Sequence, residues 1–179
     1  MSTQTKTIRD YDPAIYVGTY AKYNQGNLSG DWLYPLDYSD RESFIEACVE
    51  LHKDEQDCEY MFQDWQNIPF DLASECDVSS YLWELEEMDE YDRDLLSAYV
   101  DATSESVLEL GPNTVLEFAQ ENYIGSGDRM DNILEDYATD CGLLDNVPDC
   151  IKFCIDWELW GRDQFWSHYY KGEEWIFSH

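Results

Sequence analysis

Forty acidic side chains against ten basic ones leave this chain at a formal net charge of -30, and any fold it adopts must hold together against that self-repulsion. The means are present: 44% of the residues are hydrophobic and 16% aromatic, enough to build packed cores and unlike a disordered acidic chain. A small domain needs a net charge of only about 2 to 8 to stay in solution, so solubility does not account for the excess. Some other benefit must offset the repulsion, and a partner with a deep positive surface would supply it.

The charge is not a tail. Residues 1–76 hold 15 acids and 5 bases, 77–114 hold 11 and 1, and 115–179 hold 14 and 4, so each part stands at -10. Acidic interaction tails are instead like-charged blocks at one end of a chain. Those boundaries follow the change in hydrophobic period along the 179 residues. They define an N-terminal α+β domain (1–76), an acidic helical domain (77–114) and a C-terminal α+β domain (115–179), so the expected fold class is α+β.

In the first part, residues 14–20 and 32–36 are β-prone runs joined by a turn rich in Asn24, Gly26, Asn27 and Gly30, which predicts a hairpin. Pro35 cannot donate a ladder hydrogen bond and puts the second strand at an edge. Ser39 and Glu42 form a predicted capping box ahead of Phe44, Ile45, Cys48, Val49 and His52 at helical spacing, giving a helix over 40–52. Residues 59–65 give a third strand.

From 78 to 110 the period is helical: Val78, Tyr81, Leu82, Leu85 and Met88 mark one helix, Leu95, Leu96, Tyr99 and Val100 the next, and 104–110 a third, stopped at Gly111 and Pro112. The module has little core of its own and must lean on its neighbours. Next come a helix through Val115, Leu116, Phe118 and Ala119, a flexible turn at Gly125, Ser126 and Gly127, and a helix with Met130, Ile133, Leu134, Tyr137 and Cys141 closed by Gly142. Pro148 opens a short helix, and 165–169 with 174–177 form a closing hairpin across Lys171 and Gly172.

Nothing in this pattern points to catalysis. Forty carboxylates always include pairs at acid–base spacing, only three His are present, and none stands beside a Ser or Cys in a nucleophile setting. No Gly-rich phosphate loop follows a strand. Cys150 and Cys154 fall four apart on one helix face without further ligands, and Asp89, Asp92 and Asp94 lack the Gly and Glu of a calcium loop. The chain is therefore read as a non-enzyme with no metal or cofactor. Residues 1–9 are polar and nowhere do 18 apolar residues run together, so the expected compartment is the cytoplasm, with no membrane partner and six reduced cysteines.

The sharpest local signal is the middle section. Glu84, Glu86, Glu87, Asp89, Glu90, Asp92, Asp94, Asp101, Glu105 and Glu109 face a single base, Arg93, and Glu117 and Glu121 continue the series. An ordinary solvated helix mixes signs, because opposite charges four apart stabilise by about 0.2–0.5 kcal/mol and like charges destabilise by as much. Duplex DNA carries one charge per about 1.7 Å of axis, so the net charge of -30 matches roughly 50 Å, or about 15 base pairs. Carboxylates about 5–6 Å apart on a helix are near the spacing of successive phosphates. Imitation of DNA fits this, and so do two plainer readings: an acidic module for some other basic partner, and a salt-adapted protein of unrelated role.

Ile15, Tyr16 and Val17, followed by Tyr23, Asn24, Gly26, Leu28, Gly30 and Trp32, resemble the N-terminal signature of the ArdA antirestriction proteins. Three further matches follow in order: Gln63, Asp64 and Trp65 with Pro69 and Phe70; Gly142, Leu143, Leu144, Val147 and Pro148, which resemble that family's antirestriction motif; and Asp156 and Trp157 with Gly161, Arg162 and Asp163. Trp157 and Trp160 stand where the family more often has Tyr or Phe.

The resemblance implies three small domains in an elongated, curved row and a homodimer through the C-terminal domain. It also implies a function: imitating duplex DNA in the groove of type I restriction-modification enzymes, on their specificity and methyltransferase subunits, and so protecting incoming mobile DNA without binding nucleic acid itself. Leu143, Leu144, Val147, Pro148, Ile151, Phe153, Ile155 and Trp157 are then the antirestriction motif and possible dimer interface. By composition alone these apolar groups serve equally well as C-terminal core.

Overall fold

The computed structural model describes residues 12–179, and the polar lead over 1–9 lies outside the described residues. The chain is α+β, with helices and, among the described residues, two antiparallel three-stranded sheets. It divides into two compact units, the first ending at Glu86 and the second beginning at Glu87. That boundary lies within the stretch 77–114.

In the first unit, β1 (Ala14–Thr19) is the central strand, flanked by β2 (Asp31–Leu33) and β3 (Tyr60–Gln66). Tyr16 pairs with Trp32 on one side, and Val17 with Phe62 on the other. The second strand is at an edge, but Pro35 lies beyond it in a 3-10 turn (Pro35–Asp37). The first strand stops at Thr19 and not at Tyr20, because the Thr19 hydroxyl accepts the Lys22 N–H and caps a helical turn, α1 (Tyr20–Asn24).

Helix α2 (Arg41–Leu51) begins one residue later than its spacing predicts. The capping box is Asp40 with Ser43, not Ser39 with Glu42, since the Asp40 carboxylate accepts the Ser43 N–H at 2.8 Å and the Ser43 hydroxyl lies 3.3 Å from the Asp40 N–H. That hydrogen bond holds the Asp40 carboxyl below its ordinary pKa. Phe44 and Cys48, one turn apart, form the buried face of α2, and the Phe44 ring lies 6.0 Å from Phe62 of β3. Trp83, on α3 (Tyr81–Glu87), closes this core, 6.3 Å from Phe44, and donates its indole N–H to the Tyr38 carbonyl at 3.0 Å.

His52, just past α2, is buried, with Nε2 3.1 Å from the Val17 carbonyl and Nδ1 3.0 Å from the Lys22 ammonium. An ammonium can only donate, so Nδ1 accepts, Nε2–H donates to Val17, and the ring is neutral in this arrangement. Lys22 is also bonded to Asp54, which raises its pKa, and lies 3.4 Å from Glu55.

In the second unit β6 (Glu173–Ser178) is central, between β4 (Tyr123–Gly127) and β5 (Phe165–Tyr170). Trp175, Ile176 and Phe177 are buried in succession, which requires cover on both faces, because neighbours on a strand point oppositely. On one face lies α4 (Glu90–Thr103), with Tyr99 edge-on to Phe177 at 5.1 Å and Tyr91 near Trp175 at 6.1 Å. Helix α6 (Pro112–Asn122) packs beside it, and α5 (Val107–Leu110) is a single turn between them. The third middle helix is thus shorter than 104–110; Ser104, at φ 63, instead ends α4 in the left-handed region.

The other face is covered by α7 (Met130–Asp140) with α9 (Trp157–Gln164) behind it, and Tyr137 of α7 meets Phe165 of β5 edge-on at 5.7 Å. Gly125, Ser126 and Gly127 are not a turn. They form strand β4, and an added Cβ at Gly125 would stand 2.7 Å from Cγ2 of Ile133, so glycine is what lets α7 approach. Pro148 caps α8 (Asp149–Lys152), and the closing hairpin turns at Lys171 and Gly172, both at positive φ.

Cys48 is buried, and burial pushes its thiol up to about 12, whereas Cys76, Cys141, Cys150 and Cys154 are exposed. Titration of the native protein with an aromatic disulfide reagent is expected to show the exposed Cys76 reacting at once, the half-buried Cys58 more slowly, and Cys48 only on unfolding.

Candidate functional site: an acidic helical face and an exposed apolar segment

Asp89 caps α4, its carboxylate accepting the Asp92 N–H at 2.9 Å, where the positive end of the helix dipole favours a negative charge. Leu95, Leu96, Ala98 and Tyr99 turn into the core and leave Glu90, Asp94 and Asp101 along another side. The closing hairpin answers this stripe. Lys171 donates to Asp94 at 2.7 and 3.0 Å and lies 3.9 Å from Glu90, and His168 Nε2 is 3.4 Å from Asp101. The bond to Asp94 raises Lys171 above the usual lysine pKa. Asp92 accepts a longer contact from Gln120 of α6 at 3.4 Å.

None of the twelve nominated carboxylates is buried. Glu84, Asp92 and Asp94 are half-exposed, and Glu86, Glu87, Asp89, Glu90, Asp101, Glu105, Glu109, Glu117 and Glu121 are exposed. Glu84 and Glu86 belong to the first unit and the other ten to the second. The second unit thus collects acids from α4, α5, α6 and their connections, while Leu95, Val107, Val115 and Leu116 point inward from the same elements. The sequence singles out Glu90, Asp94 and Asp101 but not their engagement by Lys171 and His168. Pairs across 77 residues leave no trace in local spacing.

Segment 143–157 is on the surface. Phe153 is 90% exposed, Leu143 54% and Ile151 52%; Pro148 is also exposed, and Leu144, Val147, Ile155 and Trp157 are half-buried. Gly142, at φ 70, ends α7 and releases the chain into this segment. Trp157 lies edge-on to Trp160 at 5.6 Å, and Trp160 to Phe165 at 5.0 Å, so the segment is anchored to the sheet at its far end. Leu159 adds a further exposed apolar group. Several large apolar side chains are thus open to solvent within one stretch of sequence.

Among the described residues no group of three or more His, Cys, Asp or Glu is arranged to hold a metal ion. Among them, too, no helix is long and apolar enough to cross a membrane. What the site offers is a charged face and an apolar face. The chain matches no curated protein and no solved structure. Residues 15–174 match the sequence model of a family described as Antirestriction protein (ArdA), which covers most of the chain, and the protein belongs to that family.

Proposed function

We propose that this protein inhibits type I restriction-modification enzymes by standing in for duplex DNA in the groove formed by their specificity and methyltransferase subunits. The observation that carries the reading is the exposure of the nominated carboxylates: nine of twelve are open to solvent and none is buried. Carboxylates at helical spacing replace phosphates, and many weak contacts add up in a groove built to attract a polyanion. No bond is made or broken. Complementary charge speeds encounter, and the screening length of about 8 Å at physiological salt makes the effect salt-sensitive. The protein acts in the cytoplasm, where mobile DNA meets the host enzyme. The divisions 1–76, 77–114 and 115–179 serve in this reading as successive stretches of the imitation.

The same proposal makes the protein a homodimer through segment 143–157, which supports that role by leaving Leu143, Ile151 and Phe153 uncovered in the single chain. Sedimentation equilibrium is expected to give the mass of two chains. Changing Ile151→Asp and Phe153→Asp together is expected to give the mass of one, with an unaltered circular dichroism spectrum; a two-chain mass for that variant would place the interface elsewhere.

The functional half is tested in cells that carry a type I system. Expression of the protein is expected to restore plating of unmodified phage, and unchanged restriction would contradict the proposal.

A further inference from the structure

Strand β4 is an edge strand hydrogen-bonded to β6 alone, and among the described residues no strand pairs with its outer side. Edge strands usually carry lysine, proline or a covering element to prevent further pairing. Here the outer run is Gly125, Ser126 and Gly127, with no side chain larger than serine, and the one irregularity in register falls before it, between Tyr123 and Gly125.

A cleft of about 430 Å³ lies against this run and is lined on its other side by α7, through Asn132, Asp136, Tyr137 and Asp140. Asn132, Asp136 and Asp140 recur every fourth residue, so they lie on one helix face about 6 Å apart. Side chains on one face of an added strand would recur at about 6.8 Å. The cleft is acidic: Asp128, Asp136 and Asp140 line it, and its Arg129 is already bonded to Asp131. A second copy of this chain would bring the same charges to the same edge and is disfavoured by repulsion.

We propose that the outer edge of β4 is a strand-addition site for an extended basic segment of another protein, with Lys or Arg at alternate positions facing Asp136 and Asp140. Main-chain hydrogen bonds to the Gly125–Ser126–Gly127 backbone supply the pairing, and the α7 carboxylates select the charge. The inference does not rest on competition for a DNA groove, since any partner with such a segment satisfies it.

The test is fluorescence anisotropy with a short labelled peptide alternating lysine and valine, added to the full-length protein. The same peptide with its edge-facing amides N-methylated keeps the charge and loses the strand hydrogen bonds; its affinity is expected to fall by about tenfold or more. Asp136→Asn with Asp140→Asn is expected to weaken the unmodified peptide by about threefold or more. Glu42→Gln with Glu46→Gln, an equal loss of exposed charge on α2, is expected to leave it unchanged. Equal binding of the N-methylated peptide, or equal losses in the two variants, would reduce the contact to bulk charge and overturn the proposal.

Discussion

Phe177→Ala is expected to destabilise the protein by about 3–5 kcal/mol, while Phe153→Ala changes the stability of the single chain by less than about 0.5 kcal/mol. The residues share a chemistry and a unit but not an environment. Phe177 is fully buried on the central strand, packed edge-on by Tyr99 at 5.1 Å and touched by Tyr123 at 6.1 Å. Truncation there removes the transfer energy of the ring and leaves a cavity between α4 and the sheet. Phe153 has 90% of its surface in water already. Urea unfolding at a protein concentration too low for association measures both. A loss below about 1 kcal/mol for Phe177→Ala would mean that the sheet is not covered on that face.

Neutralising Glu87, Glu105, Glu109, Glu117 and Glu121 together, each to Gln, is expected to weaken inhibition of a type I enzyme by about tenfold or more, whereas any one of them alone changes it by less than about threefold. Exposed ion pairs contribute about 0.2–1 kcal/mol each, so a single loss disappears into the sum and five do not. These five are open to solvent, and removing their charge lowers self-repulsion. The same variant is therefore expected to melt at a higher temperature than the parent in low salt. Function and stability moving in opposite directions is the signature to seek in paired inhibition and melting curves. Asp94→Asn is expected to behave otherwise, because the Asp94 side chain is only 20% exposed and holds Lys171 of the closing hairpin. Weaker inhibition without higher stability is the result expected there.

Several of these features were legible in the sequence because they are local. The helical spacing of Phe44 with Cys48 and of Leu134 with Tyr137, and the Lys171–Gly172 turn, carry their own instructions. The one-residue error at the start of α2 arose between two competent capping residues, Ser39 and Asp40, and the carboxylate was the better acceptor for the Ser43 N–H. Strand β4 was not legible. Gly125, Ser126 and Gly127 have turn composition, and only the open edge of β6 and the approach of Ile133 make them a strand. The acidic surface was readable as a list of residues, since a carboxylate without a basic neighbour belongs in water. For segment 143–157, core and surface require the same apolar side chains, and only the fold places Phe153 outside.

A protein that takes the place of DNA must displace it from the enzyme. A type I methyltransferase complex holding labelled duplex DNA is titrated with the purified protein at low and at physiological salt. Full displacement is expected near one dimer per enzyme, at a concentration that rises with salt; retention of the duplex at any excess of protein would contradict DNA mimicry.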